Sequence, residues 1–358
     1  MQNNDGMNYA PVGKAQAVVG KDEFVFAVAA LDHGHIYGMS NGLAEAGATL
    51  KYVYDPDAEK VKKFIERYPQ AQVAGSLEQI LADPEVKLVA AAAIPSQRCA
   101  LGLKVMSAGK DYFTDKAPLT TLEQLEDARE MVRKTGQKYA VYYSERLHVE
   151  GAVFAGQLIQ DGAIGNVIQT LGTGPHREGH LSRPQWFYER RYFGGILCDI
   201  GSHQIEQFLY YTGNSDARII ASQAKNVNHP QYPNFEDFGD VMLVGDNGAS
   251  GYFRCDWFTP DGLSSWGDGR LTILGTEGYI EIRKYVDITQ GEKDVVYLVN
   301  HEGEFRYPVS GKVGYPYFGE LILDCIHRTE HAMTQEHAFK AAELCIKAQM
   351  LANSNRAI

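Results

Sequence analysis

The chain has 358 residues, enough for two domains with full cores. Its 44% hydrophobic and 22% charged content is that of an ordinary globular protein, and this argues against a disordered or membrane chain. The net charge is −11 and no basic stripe is visible, which argues against a nucleic-acid partner; the densest basic run, Lys60-Val61-Lys62-Lys63, reads as a solvated helix face.

Residues 1–22 read as an irregular arm without the apolar run of a secretory signal. Residues 24–31, FVFAVAAL, form a short continuous apolar run that suits a strand buried on both faces. A turn at Gly34 leads into a helix reaching Ala46 and closed by Gly47. The strand 50–54 ends at Asp55-Pro56-Asp57, and residues 56–67 read as a helix with Pro56 in its first turn. A strand over 86–94 stops at Pro95. A helix over 97–108 is capped by Gly109, and 112–114 is a short strand. Thr121 opens a helix with Gln124 three residues on, a capping box. Leu122, Leu125, Ala128 and Val132 mark its buried face, Gly136 stops it, and 139–143 is one more strand. This alternation predicts βαβ units and a mostly parallel sheet up to about residue 145.

The pattern then changes. Helices are expected at 149–161 and from Asp199 or Ile200 to Tyr211, with strand pairs after them. Asp246-Asn247-Gly248, Thr276-Glu277-Gly278 and Glu302-Gly303 each separate two strand-like runs and read as hairpin turns. A final helix spans 336–352. The expected fold is therefore α/β. An arm (1–22) precedes a mostly parallel domain (23–145), and an α+β domain (146–358) follows with an open, mainly antiparallel sheet. No run reaches the roughly 18 apolar residues of a membrane span. The five cysteines are scattered, odd in number and form no Cys-x-x-Cys, which suits reduced thiols in a cytoplasmic protein.

Two places carry chemistry. Asp55 ends the second strand about twenty residues after the first strand-to-helix turn, where a dinucleotide-binding unit holds the ribose hydroxyls of NAD. That first turn reads Asp32-His33-Gly34-His35-Ile36-Tyr37, and only Gly34 stands where the glycine pattern expects one. Asp32 would repel phosphates unless it turns away or is neutralised by His33 or His35. The three polar residues also read as a hydrogen-bonded turn without ligand, and a metal cluster ranks third. The second place is Gly194-Gly195-Ile196-Leu197-Cys198-Asp199-Ile200-Gly201-Ser202-His203. If Asp199 begins a helix, Asp199 and His203 share a face one turn apart, as a proton-handling carboxylate–imidazole pair or as a helix cap beside a surface histidine.

Several of these stretches together resemble the glucose–fructose oxidoreductase/inositol dehydrogenase family, Gfo/Idh/MocA. They are Gly34-His35-Ile36, Ile94-Pro95-Ser96, the run from Ala108 to Leu119 with Asp115-Lys116-Ala117-Pro118, the Gly194–His203 signature, Asp256-Trp257, and Gly275-Thr276-Glu277-Gly278. Asp115 stands where the family has Glu, Ala117 is inserted before Pro118, and the first turn is poor in glycine. The resemblance implies a Rossmann domain, a second domain with an open sheet, and hydride transfer between a nicotinamide and a secondary hydroxyl of a sugar or cyclitol. It implies Lys116, Asp199 and His203 as catalytic residues. Asp32, Gly34, His35, Ile36, Asp55, Pro95, Asp115 and Lys116 would line the cofactor.

On the substrate side stand Arg146, His176, His180, Trp186, Asp199 and His203. His176 and His180 also read as metal ligands four residues apart, although no resident metal is expected. Trp186 and Phe187 read equally as core. Asp55 and Asp57 favour NAD over NADP by charge. Two other readings stay open: a glycosidase or lyase that oxidises transiently without net redox, and a NAD-binding sensor. The apolar outer face of the second sheet predicts a homodimer or homotetramer.

Overall fold

The computed structural model describes residues 11, 13–179 and 183–355. The chain divides into two compact units, each discontinuous in sequence. Residues 14–142 and 314–339 make one, and residues 11, 13, 143–179, 183–313 and 340–355 belong to the other. Residues 314–339 thus fold with the N-terminal unit, which a single cut near residue 145 does not convey.

The first unit is a six-stranded parallel sheet in the order β3-β2-β1-β4-β5-β6. Its strands are β1 Val25–Ala29, β2 Thr49–Tyr54, β3 Gln72–Val73, β4 Val86–Ala91, β5 Asp111–Asp115 and β6 Tyr139–Tyr142. Every residue of β1 and β5 is buried, because helices cover both faces. Those helices are α1 His35–Glu45, α2 Ala58–Arg67, α3 Leu77–Ala82, α4 Pro95–Ser107 and α5 Leu122–Thr135, joined by Pro316–His327. Gly42 of α1 is required by packing: a Cβ there would lie 2.3 Å from the Phe318 ring. Thr121 caps α5 by accepting the Gln124 N–H at 3.2 Å, and Gly136 ends it at φ +67°.

Several boundaries differ from expectation. Asp57 caps α2 by accepting the Glu59 N–H at 2.9 Å, so Pro56 precedes the helix instead of starting it. Pro95 takes the first position of α4, two residues before the expected start, and β4 ends at Ala91. β3 and α3 were not expected, being two and six residues long.

The second unit is an eight-stranded sheet in the order β14-β13-β12-β11-β7-β10-β9-β8. Its strands are β7 Val167–Pro175, β8 Ala217–Lys225, β9 Phe238–Gly245, β10 Ser250–Asp256, β11 Arg270–Gly275, β12 Gly278–Arg283, β13 Val295–Asn300 and β14 Gly303–Pro308. The three expected hairpins are present as antiparallel pairs, β9–β10, β11–β12 and β13–β14. The sheet is mixed because β7 lies parallel to β10 and antiparallel to β11. The helices are α6 Ser144–Leu147, α7 Glu150–Gln160, α8 Arg190–Phe193, α9 Ile196–Asp199, α10 Gly201–Thr212 and the final Gln335–Asn355. α7 packs on β12 and β13, and α10 on β7, β9 and β10. Between them lies a core of Ala155, Ile164, Tyr211, Leu271, Ile273, Ile280, Ile282, Val296 and Leu298, each large side chain contributing about 1.5–3 kcal/mol by burial. Among the described residues no helix is long and apolar enough to cross a membrane.

Candidate active site

In the first unit the site residues gather where β1, β2 and β5 end. Asp55 closes β2. Its Oδ2 accepts the Leu31 N–H at 2.6 Å and its Oδ1 the Asp57 N–H at 2.8 Å, so backbone holds both oxygens in place. Asp32 is neutralised, but by neither neighbouring histidine: Lys60 Nζ of α2 reaches its Oδ1 at 2.6 Å. Gly34 caps α1 with φ −64°, a conformation open to any residue, so no special φ requires glycine here. Ile36 and Pro95 are buried in the first turns of α1 and α4.

Asp115, at the end of β5, is the hub of this unit. Its Oδ1 lies 2.8 Å from His35 Nδ1 and accepts the Lys116 N–H at 2.8 Å. Its Oδ2 is 3.2 Å from Arg98 Nη2 and 3.2 Å from His33 Nδ1. His33 Nδ1 is equally 3.2 Å from the His35 N–H and serves one of these partners at a time. Burial alone would raise the Asp115 carboxyl, but the His35, Arg98 and His33 charges prevail and hold it well below the usual carboxylate range. Burial, then the charge of His35, pushes His33 well below its ordinary value, against the pull of Asp115.

Arg98 was not singled out from sequence. It is fully buried in α4, donating Nε–H to the Ala93 carbonyl at 2.7 Å and Nη1–H to the carbonyls of Lys116 and Ala117. The peptide between Lys116 and Ala117 is cis. Asp115 and Arg98 therefore fix the backbone of Lys116 from both sides. The ligand atoms of His33, His35 and Asp115 lie within 4.8 Å of one another, a set able to hold a metal ion, although Arg98 already places a cation on that carboxylate.

In the second unit, Gly194 and Gly195 adopt φ +86° and +102°, and a Cβ on Gly195 would sit 2.2 Å from Gln349 Oε1. This tight turn launches α9. Asp199 ends α9 instead of beginning a helix; Ile200 keeps helical angles and α10 follows. Asp199 and His203 thus still fall one turn apart on a helical path, both buried. The reading of His203 as a surface histidine is overturned by that burial.

Arg146 lies inside this unit, its Nε donating to Glu206 Oε1 at 2.6 Å and its guanidinium 3.9 Å from the centre of the Tyr210 ring. His176 follows β7, its ring 4.4 Å from that of Trp266 and 5.3 Å from that of Trp257. Residues 176–179 are not helical, and His180 lies outside the described residues. Trp186 is half-buried against Phe187, which in turn packs on Trp257. Sequence reasoning missed Glu145, Gln204 and Lys284, which are buried together beside His176. Glu145 stands next to Arg146, and that adjacency was the available signal.

A family model described as the NAD-binding Rossmann fold of an oxidoreductase family matches residues 29–143, and one for the GFO/IDH/MocA C-terminal domain matches residues 153–281. The solved structure of a protein from Erwinia carotovora atroseptica SCRI1043, named only as an oxidoreductase, is 58% identical with a TM-score of 0.90, over 92% of this chain and 99% of that one. A D-xylose dehydrogenase of Paenarthrobacter nicotinovorans is 25% identical over 57% of this chain and 52% of its own length. A scyllo-inositol 2-dehydrogenase (NAD(+)) of Bacillus subtilis is 26% identical over 66% of each. The match thus spans about half of the first curated relative and two thirds of the second. With both family models matched in order, each along the unit whose architecture it describes, the chain belongs to the Gfo/Idh/MocA oxidoreductase family.

Proposed function

We propose that this chain is a dehydrogenase that uses NAD to oxidise a secondary hydroxyl of a neutral sugar, sugar derivative or cyclitol. The observation that carries the reading is the fixed base of Lys116, its N–H held by Asp115 and its carbonyl by Arg98. The named relatives that act on D-xylose and scyllo-inositol support the substrate class.

The first unit fits a dinucleotide. Asp55 is anchored by backbone and keeps further lone pairs for ribose hydroxyls. The first turn of α1 carries no acidic residue and Asp32 is paired with Lys60, so this helix N-terminus suits a pyrophosphate. Gly34, His35, Ile36, Pro95 and Asp115 would border the cofactor, and Lys116 its reactive end. Asp55 and Asp57 disfavour a 2′-phosphate. When bound, the nicotinamide supplies the hydride acceptor.

His203 takes the proton of the substrate hydroxyl, and Asp199 orients the imidazole and stabilises its charged form. Lys116 donates a hydrogen bond to the reacting oxygen as alkoxide charge develops. Arg146, His176, His180 and Trp186 are assigned to the substrate side. Mixing the protein with NAD and a polyol panel tests this: NADH appears with at least one member, and His203→Ala and Lys116→Ala each lower kcat by about a hundredfold. Near-normal turnover in either variant refutes the assignment. Product without stoichiometric NADH selects transient oxidation without net redox.

We also infer that a second copy covers the outer face of the eight-stranded sheet. Met242, Tyr252 and Leu171 are exposed in direct register on three adjacent strands, and exposed Leu274 pairs with exposed Tyr279. Sedimentation showing only monomer at micromolar concentration counts against it. Five free, buried thiols support a reducing compartment such as the cytoplasm.

A further inference from the structure

Neither the proposed hydride transfer nor the proton transfer accounts for the glycine that precedes α9. The reason lies in the final helix. A Cβ on Gly195 would lie 2.2 Å from Oε1, 2.3 Å from Cδ and 2.8 Å from Nε2 of Gln349, so a side-chain amide occupies the space that glycine leaves. Gln349 is 4% exposed, and its amide is engaged at both ends. Oε1 accepts the Leu197 N–H at 3.1 Å. Nε2 lies 3.2 and 3.1 Å from the two Glu236 carboxylate oxygens and 3.2 Å from Asn353 Oδ1. Glu236 is 1% exposed, and its Oε2 accepts the Ile196 N–H at 2.9 Å. Arg190 Nη1 donates to Asn353 Oδ1 at 2.8 Å and lies 3.5 Å from Glu236 Oε1.

α9 needs these partners because it is four residues long and starts at a glycine that offers no side-chain cap. A helix leaves its first N–H groups without internal acceptors, and so short a helix has little cooperativity of its own. Ile196 and Leu197 carry two of those groups, and Glu236 and Gln349 satisfy them from 40 and 152 positions away. The N–H groups of Cys198 and Asp199 both donate to the Gly195 carbonyl, at 3.1 and 2.9 Å. The Asp199 backbone is thus tied to the residue against which the Gln349 amide rests. α10 is anchored differently, by packing on β7, β9 and β10, with Gln207 Nε2 donating to the His203 carbonyl at 2.6 Å. A slip of α9 therefore moves Asp199 relative to His203.

We propose that Gln349 and Glu236 are positioning residues for the Asp199–His203 pair, holding the first turn of α9 so that the Asp199 carboxylate stays in register with the imidazole. This role rests on the reading of that pair as the proton-handling group. An amide suits position 349 because it accepts the Leu197 N–H and donates to Glu236 at once. A carboxylate there would meet the Glu236 carboxylate, and a thioether of similar length donates nothing and accepts weakly. Gly195 follows from the same contact, since any Cβ would push the amide off the Leu197 N–H.

Gln349→Met keeps the length of the side chain and removes both functions. Hydrogen exchange, followed by mass spectrometry on peptides spanning residues 194–199, is expected to be about tenfold faster or more in this variant, with exchange in α7 unchanged. With NAD and the polyol that wild type oxidises fastest, kcat falls about tenfold or more, KM changes by less than about threefold, and NADH affinity stays within about twofold. In an Asp199→Asn background Gln349→Met lowers kcat no further, which a general loss of structure would not reproduce. Gln349→Glu alone also lowers kcat, and adding Glu236→Gln, which restores one carboxylate and one amide across the contact, recovers most of the loss. Wild-type exchange over residues 194–199 in Gln349→Met overturns the proposal. So does an unaltered kcat, or a full further loss in the Asp199→Asn background. If Gln349→Met fails to fold, the swapped pair decides alone, and no recovery of kcat overturns the proposal. If wild type oxidises no polyol, the dehydrogenase reading fails, and the exchange comparison still decides whether these side chains hold α9.

Discussion

Replacing Asp115 by Asn removes one charge and almost no volume. Arg98 then keeps its bonds to the Ala93, Lys116 and Ala117 carbonyls but loses Asp115, its one carboxylate partner among the described residues, in a fully buried position. Removing one member of a buried ion pair costs about 3–5 kcal/mol; with the carbonyl contacts retained, the lower half, about 3–4 kcal/mol, is expected. For a unit of this size each kcal/mol lowers the melting temperature by about 2–4 °C, so the first unit should melt about 6–16 °C lower at neutral pH. Differential scanning calorimetry reads this directly. The sign of the pH dependence follows from the depressed carboxyl of Asp115. Its stabilisation is fully present above the unfolded value of about 4 and is lost as pH falls toward the lower folded value. Wild type and variant therefore converge below about pH 4. A melting temperature within about 2 °C of wild type at neutral pH would refute the view that this carboxylate organises the unit.

Asp294 has the opposite sign. Burial raises its carboxyl to about 7, although Oδ1 accepts the Gly151 N–H at 3.2 Å. Its favourable state is fully present below the unfolded value of about 4 and is lost as pH rises through the folded one. Asp294→Asn keeps an acceptor for Gly151 and tolerates the φ of +53°, so it should stabilise the protein at pH 8 by up to about 4 kcal/mol and leave it unchanged at pH 4; chemical denaturation at both pH values checks it. Because Arg98 already supplies a cation at Asp115, chelator treatment should leave NADH affinity unaltered; stoichiometric metal whose removal abolishes binding would refute this. NAD(H) should bind at least about tenfold more tightly than NADP(H) in equilibrium titrations, with Asp55→Ala narrowing the gap.

What was legible in the sequence was what short-range pattern controls. β1 and β4 are continuous apolar runs buried on both faces, and the three hairpins carry their own turn residues. β7 was not legible because Gly172 and Gly174 interrupt its pattern. Those glycines make room for Ile200, just before α10, and for Gln204 of α10. The Glu145–Lys284 pair joins residues 139 positions apart, and no local pattern announces such a pair.

The clearest case is the first turn. From sequence, the glycine-poor turn and the Asp at position 115 are two separate departures from the family pattern. In the structure they are one arrangement: His35 and Asp115, 80 residues apart, meet at 2.8 Å, with His33 and Arg98 on the other carboxylate oxygen. An Asp side chain is one methylene shorter than Glu, which leaves room for imidazoles at the two variable positions that flank Gly34. Each change makes the other tolerable, since a histidine turn without Asp115 loses its acceptor and Asp115 without the turn loses two of its four contacts. If that coupling is right, loss of the His35 imidazole should not be benign. His35→Gly should weaken NADH binding and lower the melting temperature of the first unit, and in Asp115→Asn the same substitution should cost less than in wild type. Strict additivity of the two changes would show that the two departures are independent after all.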